Sequence, residues 1–354
     1  MFLSLFSKKS KKQIFGLDIG TQNTRLMSFE GDKPLVNNFL MTATPSKVFE
    51  AGLISDETAL SQFIGQQIAS LDVEDELSVV LGISGKGMIA KKIDIPEMDD
   101  HMIPEFVEIE AEQELFYNRE EMTLDYAVLE GLNFNKPGAK SLFVVTVLNT
   151  VIESYNKVMD KNSMTCKILD TNFGALFNAF EFNYDLSADK NYMVLDIGCT
   201  TTNLIVAIKN QVVFARNIYL GGDFFNQAIQ KHMSVDYGIA ESLKVSASKG
   251  EESPEELVSL IKSELNATFI EELISPYELY NSLFPGKAID EIYVTGGGSQ
   301  TIGLVSGIEK AFNCPVNFLD SFKKIQFISE LKKYREDYKM FSSVLVGLTL
   351  RALE

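Results

Sequence analysis

The sequence predicts a two-domain α/β fold made by duplicating one unit, and three observations lead there. LDIGTQNTRL at 17–26 is echoed by LDIGCTTTNL at 195–204, so that Leu17, Asp18, Ile19, Gly20, Thr24 and Leu26 recur as Leu195, Asp196, Ile197, Gly198, Thr202 and Leu204. Each copy opens a stretch in which short apolar, strand-like runs give way to helical periodicity, the alternation of mixed α/β units. The 354 residues suffice for about two hydrophobic cores. A repeat this widely spaced is a domain duplication, since solenoids repeat over tens of residues.

Composition narrows the class. Hydrophobic residues make up 45% and charged residues 23%, as in soluble globular chains. A net charge of −17 argues against nucleic acid and against broad adhesion to anionic membrane, both of which reward Lys and Arg. Cys166, Cys199 and Cys314 are scattered and form no CxxC, which reads as reduced thiols in a cytoplasmic compartment. With only His101 and His232, both expected at the surface, a histidine zinc site is disfavoured. No apolar run approaches the roughly 20 residues of a membrane span, so no transmembrane segment is expected. The start, MFLSLFSKKSKK, places its lysines after the apolar patch, the reverse of a signal peptide. It reads as a frayed N-terminus or as a weak interfacial foot using Phe2, Leu3, Leu5 and Phe6.

Along the chain, IFGLDIG is a buried strand and TRLMSFEG its antiparallel return. GLISDETALSQFIGQQIASL carries a helix with Leu60, Phe63, Ile64, Ile68 and Leu71 on one face, started by Ser55. LSVVLGISG and MIAKKIDIP are strands, and an acidic helix lies in PEFVEIEAEQELF. MTLDYAVLEG and SLFVVTVLN are strands again. TVIESYNKVMDKN is a helix, CKILDTNF a strand and GALFNAFEF a short helix. DLSADKN at 185–191 is polar and turn-rich, and marks the boundary between the halves. YMVLDIG, TNLIVAIKN and QVVFARNIYLGG restart the pattern as a three-strand meander, followed by helices DFFNQAIQKHM and YGIAESLKVSAS. Ser253, Pro254 and Glu256 spell a capping box for the next helix, and Pro276 should kink or restart it. EIYVTGGG then opens a strand–loop–helix–strand unit ending at CPVNFL.

Five segments carry candidate chemistry. In each LDIG copy a strand ends at an acid and reverses through glycine and small hydroxyl residues. Gly20 and Gly198 permit a tight turn and close approach of a ligand. Thr21, Gln22 and Asn23, like Cys199, Thr200 and Thr201, can aim successive N–H groups into one concavity suited to phosphate oxygens. Asp18 and Asp196 would repel those phosphates unless Mg²⁺, holding several waters, sits between. The plain alternative is a pair of hairpins whose acids merely cap turns. VTGGGSQTIGL offers Gly296, Gly297 and Gly298, with Gln300, for close approach to a flat ring or a sugar, or a generic strand–helix turn. Gly221 and Gly222 precede a helix whose N-terminus could add N–H groups to a phosphate site. Glu241 and Lys244, at i and i+3, are either a surface pair or two hands on a ribose and purine. Cys199 is a turn-filling residue or an oxidation-sensitive one. EFVEIEAEQE reads as a solvated helix face or a partner surface.

The succession of acid–glycine hairpin, second acid–glycine hairpin, GG-helix, E-x-x-K helix and GGG turn resembles the actin-like, chaperone and sugar-kinase ATP-binding superfamily. Within it the chain most resembles the PilM family of type IV pilus machines, with the division protein FtsA a neighbour. The likeness runs nearly end to end through GLISD, IDIPEM, LDYAVLEG, NLIVAIKNQVVFARNIYLGGDFFNQAI with AESLK, VTGGGSQTIGL and VLVGLTLRAL. Departures are EQELFYNRE where the family carries a Tyr-Ile-Pro-Phe-like stretch, Ile302 where a proline is frequent, Arg25 for a common Lys and Asn23 for a common Ser. The phosphate nests use backbone groups, so these changes leave nucleotide binding in place.

The resemblance implies an actin-like (RNase H-like) duplicated fold with an ATP cleft between the domains and an inserted FtsA-like small subdomain. Residues 1–12 would be a flexible segment, 13–188 the first domain with the insert at about 77–165, and 189–354 the second. Asp18 and Asp196 would hold Mg²⁺ through water. Gly20, Thr21, Gln22, Asn23 and Arg25, with Gly198 through Thr202 and Gly221–Gly222, would line the phosphates. Glu241, Lys244, Gly296–Gly298 and Gln300 would take adenosine. The implied partner is the N-terminal cytoplasmic peptide of PilN in the pilus inner-membrane complex, docked between the first subdomain and the insert. The chain would then be cytoplasmic and peripheral at the inner membrane. A homo-oligomer stays open, and turnover is not implied, because no side chain beyond the two aspartates announces itself as positioning water. An FtsA-like filament protein is the alternative, against which stands the end of the chain at LTLRALE without a membrane helix. A small-molecule kinase is the lesser one, because neither a second-substrate pocket nor a base can be identified.

Overall fold

The computed structural model describes residues 13–50, 52–71, 77–115, 118–132 and 139–354. The first twelve residues, for which a frayed end or an interfacial foot is expected, lie outside the described residues, as do Phe116 and Tyr117 of EQELFYNRE.

The first half begins with a meander of β1 (Ile14–Ile19), β2 (Asn23–Phe29) and β3 (Leu35–Ala43), then the two-residue strands β4 (Phe49–Glu50) and β5 (Leu53–Ile54) and helix α1 (Glu57–Ala69). It continues through β6 (Ser78–Ile83), β7 (Met88–Pro96), α2 (Ile103–Leu115), β8 (Met122–Val128), β9 (Ala139–Leu148), α3 (Asn149–Lys161), β10 (Thr165–Thr171) and α4 (Asn172–Asn183). The second half repeats the meander as β11 (Asn191–Ile197), β12 (Thr202–Ile208) and β13 (Gln211–Ile218), followed by α5 (Gly222–Met233), α6 (Tyr237–Lys249), α7 (Glu255–Leu260) and α8 (Asn266–Leu283). It closes with β14 (Glu291–Thr295), α9 (Leu304–Phe312), β15 (Val316–Phe318), β16 (Gln326–Phe327), α10 (Tyr334–Tyr338) and α11 (Ser343–Arg351).

Duplication is written into the sheets. One runs β3-β2-β1-β6-β10 and the other β13-β12-β11-β14-β15, each an antiparallel meander extended by two parallel strands. Helices cover both faces, so the central strands read as continuous apolar runs: SVVLGI of β6 and TNLIVAI of β12 are buried at every position. The strand β3 gave no sequence signal, because most of its residues are only partly buried and polar ones interrupt the alternation.

Several local expectations are corrected. Helix α1 is capped by Asp56, whose Oδ1 accepts the N–H groups of Thr58 and Ala59 at 3.1 and 2.9 Å, while the Ser55 hydroxyl donates to the Lys47 carbonyl. No capping box forms at 253–256. There Pro254 holds the cap position, and Ser253 turns back to donate to the Glu251 carbonyl. Pro276 neither breaks nor restarts α8; the irregularity falls upstream, in a π-turn at Ile261–Leu265.

Two larger boundaries also move. The insert expected at about 77–165 narrows, because β6 and β10 pair with each other and with β1 in the main sheet. What stands apart is the small sheet β7-β9-β8 with α2, over Met88–Leu148. The second half does not close on itself at 354 either. Strand β16 pairs with β3, and α11 packs on α4 and β1. Asn183 at the end of α4 pins this return: its Nδ2 donates to the Ser321 carbonyl at 2.8 Å, and its Oδ1 accepts from the Lys324 N–H. Helices α11 and α4 approach so closely that a methyl group at Gly347 would overlap the Ala175 carbonyl.

The insert also leans on the second sheet. Gln211 exchanges two hydrogen bonds with the Glu130 backbone, at 2.7 and 2.9 Å, and Arg216 donates from β13 to the Ala90 carbonyl of β7 at 2.9 Å.

Candidate functional site

The two LDIG hairpins have one construction. Gly20 N–H donates to the Asn23 carbonyl at 3.0 Å, and Gly198 N–H to that of Thr201 at 2.9 Å. A methyl group at Gly20 would stand 2.7 Å from the Asn23 oxygen, and at Gly198 2.9 Å from the Thr201 oxygen, so both turns exclude a side chain. The register then sets one residue opposite each acid. Asp18 faces Arg25, whose Nη1 lies 2.7 Å from its carboxylate, and Asp196 faces Asn203, whose amide donates at 3.1 Å.

The hairpins meet tip to tip. Thr21 Oγ1 lies 3.1 Å from Thr200 Oγ1, and the acids behind them flank a cleft of about 560 Å³. Burial raises Asp196 to about 6, opposed by the Asn203 hydrogen bond, raised further by the charge of Asp18 and lowered by that of Arg25. Burial, then the charge of Asp223, pushes the Cys199 thiol up.

Of the residues singled out in the sequence, Asp18, Gly20, Thr21, Gln22, Asn23, Arg25, Asp196, Gly198, Cys199, Thr200 and Thr201 line this cleft, as do Gly222, Glu241, Lys244, Gly296, Gly297, Gly298 and Gln300. The GGG turn is there because its glycines let it lie on the second hairpin. Gly296 has φ +83°, and a Cβ there would stand 2.6 Å from the Asp196 carboxylate; one at Gly298 would stand 3.0 Å from the Ile197 carbonyl. Lys244 is buried and bridges Glu241, at 2.8 Å, to the Gly222 carbonyl, at 3.3 Å, so this pair braces α6 against α5.

Two of the singled-out residues lie just outside the cleft. Thr202 and Gly221 are not in the lining: Thr202 donates to the Leu220 carbonyl at 2.7 Å, and Gly221 packs against the Cys199 carbonyl. The start of α5 offers less than expected, because the Gly222 and Asp223 N–H groups already donate to the carbonyls of Gly198 and Cys199 at 2.9 and 2.8 Å. Sequence reasoning missed Asn203, Tyr155, Asn172 and Phe341, all in the lining. Only Asn203 had a signal, its place opposite Asp196 in the hairpin count.

Polar atoms in the cleft await a partner. Arg25 Nε, Asn203 Oδ1 and Asn172 Oδ1 are buried without a hydrogen bond among the described residues. One unpaired donor and two unpaired acceptors beside two carboxylates fit a phosphate chain accompanied by a hydrated cation. Among the described residues no group of three His, Cys, Asp or Glu side chains could hold a metal by itself. A cation here would therefore share its ligands with phosphate and water.

Duplicated sheets with equivalent acid–glycine turns opposed across a cleft define an actin-like α/β protein. Within that class the chain belongs to the family of type IV pilus assembly protein PilM, whose model matches residues 16–353. A solved PilM–PilN type IV pilus biogenesis complex superposes with a TM-score of 0.84 at 22% identity, over 96% of this chain and 98% of that one. The cell division protein FtsA of Neisseria meningitidis serogroup B is 22% identical over 353 residues, covering 87% of this chain and 84% of that protein. The ethanolamine utilization protein EutJ of Carboxydothermus hydrogenoformans shares the fold, with a TM-score of 0.56 at 14% identity over 96% and 90% of the two chains. Among the described residues no helix is long and apolar enough to cross a membrane.

Proposed function

We propose that the chain is an ATP-binding adaptor of the type IV pilus inner-membrane complex, which holds Mg·ATP between its two hairpins and grips the cytoplasmic N-terminal peptide of PilN. The observation that carries the nucleotide site is the opposition of Asp18 and Asp196 on equivalent strands across one cleft, with the Thr21 and Thr200 hydroxyls meeting at the hairpin tips. The partner follows from family membership and from the likeness to the PilM–PilN complex.

In this reading a bound Mg²⁺ neutralises charge between carboxylates and phosphates. Asp18, held in place by Arg25, and Asp196, held by Asn203, orient its waters. The hairpin turns present backbone N–H groups to phosphate oxygens, and the GGG turn leaves room for a flat ring beside Phe341. Because each half supplies one hairpin, occupancy favours the closed arrangement in which Thr21 meets Thr200. The insert rests on β13, so cleft closure reaches the surface where a peptide would dock between insert and first domain. The protein would then sit at the cytoplasmic face of the inner membrane through its partner. The filament-forming alternative is weaker, since the family is PilM.

Calorimetry tests the reading. Mg·ATP should bind the natural chain and bind Asp196→Ala at least about tenfold more weakly, with a PilN tail peptide captured by both. No nucleotide binding by the natural chain would sink the shared clamp and leave a peptide adaptor built on a ligand-free fold.

A further inference from the structure

Tyr155, on α3, is 5% exposed and lines the cleft beside Asp18. It also lines a second groove of about 170 Å³, formed by Gly52, Leu53, Ile54, Thr150, Val151 and Ser154. Gly52 and Tyr155 are common to both cavities, so the ring is the wall between them. Burial, and then the charge of Asp18, holds its phenol proton on well above the ordinary range. Among the described residues that hydroxyl donates to no protein group. The hydroxyl is not sealed from the cavities that the ring lines, so a bound acceptor can take the place of water as its partner. An aliphatic or phenylalanine side chain would fill the wall equally well, so the hydroxyl calls for an acceptor in the cleft.

The acceptor must be anionic or strongly polar and lie near Asp18, at the end of the cleft where the two hairpins meet. Resting on the nucleotide reading above, we propose that Tyr155 donates its hydroxyl to the terminal phosphate of ATP, or to a water held by it, and so distinguishes ATP from ADP. Helix α3 continues directly from strand β9 of the insert and forms one side of the second groove. A ring drawn toward the terminal phosphate shifts that helix, and with it the groove wall made by Thr150, Val151 and Ser154. Tyr155 thereby reports the state of the nucleotide to the junction of insert and first domain.

The test is Tyr155→Phe in the full chain, which keeps the ring and removes the one oxygen. Calorimetry with Mg·ATP and Mg·ADP on both proteins, with thermal melts to show that the variant folds, reads the selectivity. The natural chain should prefer ATP. The variant should lose about tenfold in ATP affinity, keep its ADP affinity and melt no lower than the natural chain. Hydrogen exchange across 149–161 supplies a readout independent of affinity: ATP but not ADP should slow exchange there, and the variant at saturating ATP should show no slowing. An unchanged ratio of ATP to ADP affinity in the variant, or an equal loss for both nucleotides, overturns this inference and leaves the cleft reading intact. A natural chain that binds neither nucleotide overturns both.

Discussion

Thr21 and Thr200 touch across the mouth of the cleft through their hydroxyls, 3.1 Å apart, although they are not equivalent positions of the duplicated hairpin. Thr21 is matched by Cys199, and Thr200 by Gln22. The duplicate units therefore meet with an offset of one residue, and the meeting point is a hydrogen bond between exposed side chains. Such a bond contributes little to folding but exists only when the halves are closed. Replacing both residues with valine should leave thermal stability within about 0.5 kcal/mol. Release of a fluorescent ATP analogue should accelerate several-fold in stopped flow, because the closed arrangement loses its latch. Equal release rates would show that closure does not depend on this contact.

Asp196 sets a pH dependence whose sign can be worked out. Its carboxyl titrates near 3.8 in the unfolded chain and is raised to about 6 in the fold, so the folded protein binds the proton more tightly. Ionised Asp196 therefore lowers stability. That penalty is fully present above about pH 6 and is relieved as pH falls toward 4. Asp196→Asn should melt higher than the natural chain at pH 7.5, by a difference of about 1–3 kcal/mol, and match it near pH 4. A gain that persists undiminished at pH 4 would mean that the carboxylate is not destabilised in the fold.

The close packing of α11 on α4 depends on one glycine. At Gly347 there is no room for a methyl group, because the Ala175 carbonyl of α4 occupies its place. Gly347→Ala must push α11 off α4, where helix and strand contacts join the last residues to the first sheet. Overpacking at a backbone contact costs roughly 2–4 kcal/mol, and more if α11 detaches. Urea unfolding should show the loss in midpoint. Gly307→Ala, which would meet only the end of the Ile270 side chain, should cost less.

What the sequence disclosed and withheld follows the range of the interactions. The hairpins were legible because Asp-x-Gly after an apolar run fixes strand and turn within a few residues, twice over. Glycine spacing likewise located the GGG turn, and AESLK the pair of Glu241 and Lys244. Arg25 was placed in the site as a phosphate-lining residue, yet its hold on Asp18 is a cross-strand relation. Tyr155 and Asn172 reach the cleft from α3 and α4 by the folding of the whole first domain, and no local pattern marks them. Strand β16 is two residues long, and its pairing with β3 could not be read from a run so short. The run that forms α11 was marked only by its likeness to the family, and nothing local in it says which half would bury it.

The seam between insert and second sheet gives the last prediction. Gln211 places its side-chain amide against Glu130 as a strand would place its backbone: Oε1 accepts the Glu130 N–H at 2.7 Å, and Nε2 donates to the Glu130 carbonyl at 2.9 Å. Lys209 adds a bond to the Gly131 carbonyl at 3.1 Å. Glu130 is exposed, so water replaces these partners when they are lost, and Gln211→Ala should cost only about 1 kcal/mol or less globally. The local effect should be larger, because few other bonds tie residues 122–132 to β13. Hydrogen exchange in the variant should quicken at 122–132 and 211–213 and stay unchanged at 14–29, in the central strands of the first sheet. If closure reaches the insert through this seam, the variant should also bind Mg·ATP as the natural chain does while losing the effect of ATP on affinity for a PilN tail peptide. Undiminished coupling would place the transmission on α3 alone, through Tyr155 and the groove beside it.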